Sequence, residues 1–222
     1  MDSIKKTQDY DYMIKLVLIG KDSIGKTKFL DRIKKLDDYK SFKENFNNYL
    51  NTVGIELHTI KKIYNNKLFK IQIWDTSGLE RFSPIVKAYY KGTNSVLIFY
   101  DALEKESFKK AKNCYEEALK SNEKAIYFLI RNKYDLSINS KKNDFISDEE
   151  ALEFADKNNL FFAHASSFEK NENGIFEIFE IILREYYLRN ANIWIDSINF
   201  IIKKSITLIN KKILGKIPNF NY

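Results

Sequence analysis

Directly after an almost unbroken apolar run, Tyr12–Ile19, the chain reads Gly20-Lys21-Asp22-Ser23-Ile24-Gly25-Lys26-Thr27 and then enters a helical pattern lasting to about Lys35. An apolar run with no alternation describes a strand covered on both faces. The octapeptide satisfies G-x-x-x-x-G-K-[S/T], a turn that brings consecutive backbone N–H groups and a helix N-terminus onto an anion. In that arrangement the backbone from Asp22 through Ser23, Ile24 and Gly25 to Lys28 cradles phosphates. Lys26 reaches the β/γ oxygens, and the Thr27 hydroxyl binds Mg²⁺. The bland alternative is a glycine turn capping an ordinary helix. The strand–loop–helix context favours the phosphate reading, but this motif alone does not separate ATP from GTP.

The rest of the chain alternates strands with helices. Val53–Ile63 and Leu68–Trp74 alternate every second residue around Tyr64-Asn65-Asn66-Lys67, which predicts a hairpin. Ser95–Tyr100, Ala125–Ile130 and Leu160–Ala163 are further strand candidates. Helices are expected near Lys105–Lys120, Ser147–Asn158 and 172–189, the second opening Ser147-x-x-Glu150 like a capping box. The expected fold is α/β of the P-loop NTPase type: a mostly parallel six-stranded sheet with one antiparallel edge strand and helices on both faces. Ligands of such sheets bind at the carboxyl ends of the strands. The expected organisation is an N-terminal extension over 1–10, a domain over 11–189 and a basic amphipathic tail over 190–222.

Three later segments narrow the ligand. Trp74-Asp75-Thr76-Ser77-Gly78 ends a strand, so Asp75 stands where a carboxylate can hold Mg²⁺ through water, and Gly78 leaves its N–H open to a γ-phosphate. Asn132-Lys133-Tyr134-Asp135 follows another strand; a carboxylate there accepts from the N1–H and 2-amino group of guanine, which adenine cannot offer. Four residues alone make a weak match, with a solvated loop as the rival. Third in a correctly ordered series, they favour GTP and GDP. Ala165-Ser166-Ser167 follows the last strand and could present backbone N–H groups to guanine O6.

With these residues in view, the chain resembles a Ras-superfamily small GTPase of the Rab branch over residues 10 to 183. The similarity extends to Asp11–Gly20, Tyr49–Glu56, Trp74–Phe82 and Ala88–Gly92. It implies that Thr52 completes the Mg²⁺ shell through its hydroxyl and holds the γ-phosphate through its N–H, and that two switch segments order around GTP. It further implies effectors and exchange factors meeting the switches, a monomeric chain, and an effector surface at Leu57, Trp74 and Tyr89. Plain inter-switch packing is the other reading of those three. Phe46, with Phe42 second, is the candidate to stack on guanine.

Several residues depart from the family pattern. Leu79 replaces the glutamine that orients the attacking water, and leucine has neither donor nor acceptor. Asp22 and Ser23 stand where the family places small residues or glycine, crowding the γ-phosphate and adding negative charge. Among the residues assigned to the hydrolytic step (Lys26, Thr52, Gly78, Leu79), Leu79 is therefore degenerate, and hydrolysis is expected to be slow. A GTP-bound interaction scaffold that never hydrolyses is the first alternative; a P-loop ATPase or kinase, opposed by Asp135, is the second.

Charge and cysteine content bound what else the chain can do. Its net charge is +7. After residue 183, Arg184, Arg189, Lys203, Lys204, Lys211, Lys212 and Lys216 face only Glu185 and Asp196, so the basic excess belongs to the tail and does not suggest a nucleic-acid partner. Ile195, Ile198, Ile202, Ile206, Ile209 and Ile213 recur at helical spacing largely off the lysines. A helix over 191–214 could therefore lie on an anionic membrane, meet a partner, or pack on its own domain. The final residues offer no cysteine for prenylation. One cysteine, Cys114, fits a reducing compartment. The expected location is cytoplasmic, peripheral on endomembranes without a prenyl anchor. His58 and His164 are read as structural, and Cys114 as a packing or surface residue.

Overall fold

The computed structural model describes residues 10–36, 54–78, 83–133, 146–166 and 173–190. Their order is β1 (Tyr12–Gly20), α1 (Lys26–Leu36), β2 (Ile55–Tyr64), β3 (Lys67–Thr76), α2 (Ser83–Tyr90), β4 (Ser95–Asp101), α3 (Lys105–Ser121), β5 (Ile126–Asn132), α4 (Asp148–Lys157), β6 (Phe161–His164) and α5 (Asn173–Asn190). One six-stranded sheet runs β2-β3-β1-β4-β5-β6. Every neighbouring pair is parallel except β2 with β3, the antiparallel edge that the hairpin pattern predicts.

That hairpin closes between Tyr64 and Lys67, with Asn65 and Asn66 at φ 50° and 58°. Asparagine tolerates the left-handed region, and two such residues give the turn whose twist matches the strands. The central strands β4 and β5 are buried along their whole length, as their continuous apolar sequences require. Two core layers sit on the two faces. Phe29, Leu30 and Ile33 of α1 with Ile178, Phe179 and Ile182 of α5 cover one. Val86 and Tyr90 of α2, Phe108, Ala111 and Tyr115 of α3, and Ala151 and Ala155 of α4 cover the other.

Register and capping then position the strand ends. Leu18 pairs with Asp75 and Gly20 with Phe99, which brings the ends of β1, β3 and β4 to one rim. At α4, Ser147 Oγ accepts from Glu150 N at 3.2 Å, the cap foreseen from the Ser-x-x-Glu spacing. Glu104 occupies the N-cap position of α3 without a side-chain cap bond, and its carboxylate pairs instead with Lys21.

Candidate functional site

The loop from β1 to α1 is the centre of the rim. Gly20, Ser23 and Gly25 all have positive φ, at 138°, 57° and 94°. Alternation into the left-handed region curls the backbone into a concavity, the form in which successive N–H groups converge on an anion. Ile24 is buried and anchors the loop from below, and its carbonyl accepts from Asn132 Nδ2 at 2.7 Å. Asn132 thus fastens the end of β5 to the loop.

Lys26 is 5% exposed, and its ammonium donates to the carbonyls of Gly20 at 3.1 Å and Lys21 at 2.8 Å. Burial lowers its pKa to about 8, against the opposing charges of Asp75 and others. A buried cation on carbonyl dipoles at the mouth of an N–H-lined loop is favoured by an anion placed beside it. The Thr27 hydroxyl donates to Asp75 Oδ2 at 2.6 Å. Asp75 is fully buried at the end of β3. A hydroxyl and a carboxylate converging beside a phosphate loop make a set of hard oxygen donors. Among the described residues no group of three or more His, Cys, Asp or Glu side chains could hold a metal. A pair of hard oxygens such as Thr27 and Asp75 suits an ion that keeps waters and takes phosphate oxygens, as Mg²⁺ does.

Gly78 rests on this loop. A Cβ built at 78 would lie 2.0 Å from Asp22 N and 2.4 Å from Asp22 Cα, so glycine alone allows the approach. Next to it a cavity of about 290 Å³ opens between α2 and α3, lined in part by Gly20, Ser77, Gly78, Tyr90 and Cys114. Cys114 is half-buried beside the second core layer, and burial raises its thiol pKa.

On the other side of the loop, Lys133 has φ 55°, and its ammonium pairs with Asp101 Oδ2 at 3.1 Å across the ends of β5 and β4. Ala165 N donates to Arg131 O at 2.8 Å, bringing Ser166 to the same rim. The structure thus gathers Asp22, Ser23, Ile24, Gly25, Lys26, Thr27, Lys28, Asp75, Gly78, Asn132, Lys133 and Ser166 at one end of the sheet. Phe46, Thr52, Leu79, Asp135 and Ser167 lie outside the described residues, as do Phe42 and the tail.

Leu57, Trp74 and Tyr89 fall on the sheet face away from α1. Leu57 and Trp74 are register partners, Trp74 and Tyr89 rings meet at 4.5 Å, and Leu57 is 46% exposed. Trp74 and Tyr89 also pack against the second core layer, so the two readings of these residues are compatible. Lys15 adds a cation over both rings, at 5.4 Å and 5.5 Å, which the apolar run in the sequence concealed.

Sequence reasoning also missed the ionic frame of the rim: Lys21 with Glu104, Lys133 with Asp101, and Asp148 with Arg131 and His164. His58 faces Lys34 at 2.8 Å and Glu56 at 3.4 Å.

A model of the Ras family matches residues 15–188. Ras-related protein RABA4d of Arabidopsis thaliana is 35% identical over 182 residues, covering 81% of this chain and 76% of its own length. GTP-binding protein YPT1 of Saccharomyces cerevisiae is 34% identical over 160 residues, 72% of each chain. Ras-related protein Rab11B of Nicotiana tabacum is 32% identical over 184 residues, 80% of each.

Proposed function

The chain belongs to the Ras family and is a Rab-like small GTPase, and from that premise we propose that it is a slow-hydrolysing, Mg²⁺-dependent guanine-nucleotide switch that recruits effectors in vesicle traffic. The observation that supports this most is the buried Lys26 on the Gly20 and Lys21 carbonyls beside the Thr27–Asp75 hydrogen bond. A cation and a pair of hard oxygens at a curled N–H loop form a receptor for a metal-chelated polyphosphate and suit few other ligands.

In this reading Lys26 and the backbone of Asp22 through Lys28 hold the phosphates. Thr27 and Thr52 would hold Mg²⁺ through their hydroxyl oxygens, and Asp75 would hold it through water. Mg²⁺ held there would supply neutralisation of the charge on the phosphate oxygens. Lys26 stabilises the same charge, and Gly78 offers its N–H to the γ-phosphate. Asn132 and Lys133 brace the base-binding segment, Asp135 reads the guanine edge, Ser166 and Ser167 face its oxygen, and Phe46 stacks on the ring. Leu79 supplies no hydrogen bond to the attacking water, so turnover is slow. The surface of Leu57, Trp74 and Tyr89 meets effectors, exchange factors act at the switches, and the tail over 191–214 attaches the protein to anionic membrane.

Chromatography of the nucleotide released from denatured, purified protein tests the ligand: GTP or GDP is expected, and bound ATP would overturn the assignment. Asp135→Ala is expected to abolish preference for guanine over adenine. In single turnover, slow appearance of GDP is expected. No GDP after many hours would instead indicate a non-hydrolysing scaffold, the alternative that Leu79 and Asp22 favour.

A further inference from the structure

One cluster of charged side chains at the rim plays no part in that reading. Arg131 lies in β5 immediately before Asn132, and its guanidinium pairs with Asp148, the first residue of α4. His164, the last residue of β6, places Nε2 at 2.9 Å from the same carboxylate oxygen, Asp148 Oδ1. The side chains of Arg131, Asp148 and His164 are only 7%, 17% and 12% exposed. A charged network this withdrawn from water is costly to leave half-made, so each member holds the others in place.

Each partner is fixed in turn by its own element. Asp148 follows the Ser147 cap, and Ile146 N donates to Ala102 O at 2.9 Å, which ties the start of α4 to the end of β4. An ionised carboxylate at a helix N-terminus is also favoured by the helix dipole. The His164 ring meets Phe162 edge-on at 5.1 Å. The carboxylate therefore joins three chain ends: β5 just before Asn132-Lys133, α4 where the chain returns from the segment carrying Asp135, and β6 just before Ala165-Ser166.

We propose that Arg131, Asp148 and His164 are positioning residues for base selection, holding the ends of both guanine-reading segments and thereby setting selectivity among purines. The proposal rests on the guanine reading above, and none of the three touches the nucleotide.

The test is competition on the full chain, with unlabelled GDP and IDP displacing a fluorescent guanine nucleotide. IDP lacks the 2-amino group that a carboxylate at 135 accepts from. Asp148→Asn and Arg131→Met are expected to reduce the preference for GDP over IDP by about tenfold, roughly 1.4 kcal/mol. Arg131→Lys, which keeps the charge, should retain most of it. Thermal melts report whether each variant is folded. Should Asp148→Asn not fold, His164→Gln leaves the Arg131–Asp148 pair intact and carries the same test, with a smaller loss of preference expected. GDP and IDP affinities that fall by one common factor, or not at all, overturn positioning, because a merely structural role weakens both ligands alike. A wild-type chain without preference for GDP over IDP overturns the guanine reading and this proposal together; preference kept in every folded variant overturns this proposal alone.

Discussion

Thr27 Oγ1 donates a 2.6 Å hydrogen bond to Asp75 Oδ2, tying the first turn of α1 to the end of β3. The bond exists because Leu18 pairs with Asp75 in the parallel register of β1 and β3, so the two strands deliver the loop and the carboxylate to one height. A hydroxyl and a carboxylate held side by side in this way are hard oxygen donors of the kind a small divalent cation takes.

Asp75→Asn should therefore weaken Mg²⁺ more than nucleotide. Substitution of a residue that orients a metal's ligands commonly costs about 10- to 100-fold in metal affinity. The expected outcome is that release of a fluorescent GDP from the variant needs correspondingly more Mg²⁺ to be suppressed. Unchanged Mg²⁺ dependence would remove Asp75 from the proposed metal site.

Ser23 carries a different expectation. It is exposed and holds φ 57°, a conformation that costs a residue with a Cβ about 1 kcal/mol. Glycine there loses no buried contact, so Ser23→Gly should raise the melting temperature by about 2–4 °C for a domain of this size. A calorimetric melt of the nucleotide-loaded protein measures it. A lowered melting temperature would mean that the serine side chain contributes more than its backbone strain costs.

How far the sequence disclosed this arrangement depended on whether each signal was local. The Asn65-Asn66 turn, the Ser147 cap and the continuous apolar strands are short-range patterns, and the structure has them where the pattern puts them. The eight-residue α2 went unread as a helix, since two turns give too few repeats for a 3.6-residue period to emerge. Lys26 and Thr27 stand out in the sequence because the spacing from Gly20 to Thr27 is local, and Asp75 and Asn132 because each comes at the end of a strand candidate. Lys21 with Glu104, and Asp148 with Arg131 and His164, do not: each partner lies on a different element, and only the sheet order brings them together.

Leu79 leads to a gain-of-function experiment. If hydrolysis is slow for want of a group to orient water, Leu79→Gln should accelerate single-turnover conversion of GTP by about a hundredfold, the lower end of what a positioned acid–base group contributes. Asp22→Gly added to it should increase the rate again by removing a carboxylate beside the phosphates. Equal rates in wild type and both variants would show that another feature limits the reaction.

Asp148 allows the acid limb of stability to be predicted. Burial raises its pKa, but the hydrogen bond from His164 and the charges of His164 and Arg131 outweigh this and leave it below the ordinary carboxylate value. A carboxylate whose folded pKa is depressed stabilises the fold above its unfolded pKa of about 3.9 and loses that contribution as pH falls through the folded value. Wild-type unfolding free energy should accordingly decline below about pH 4 partly through this group. Asp148→Asn should be less stable at neutral pH, where it removes the ion pair between Arg131 and Asp148, and should show a shallower decline on acidification. Denaturant titrations of both proteins from pH 7 down to pH 3 measure the two slopes. Parallel curves would mean that Asp148 takes up its proton equally in the folded and unfolded chains, and that the ion network does not hold its charge.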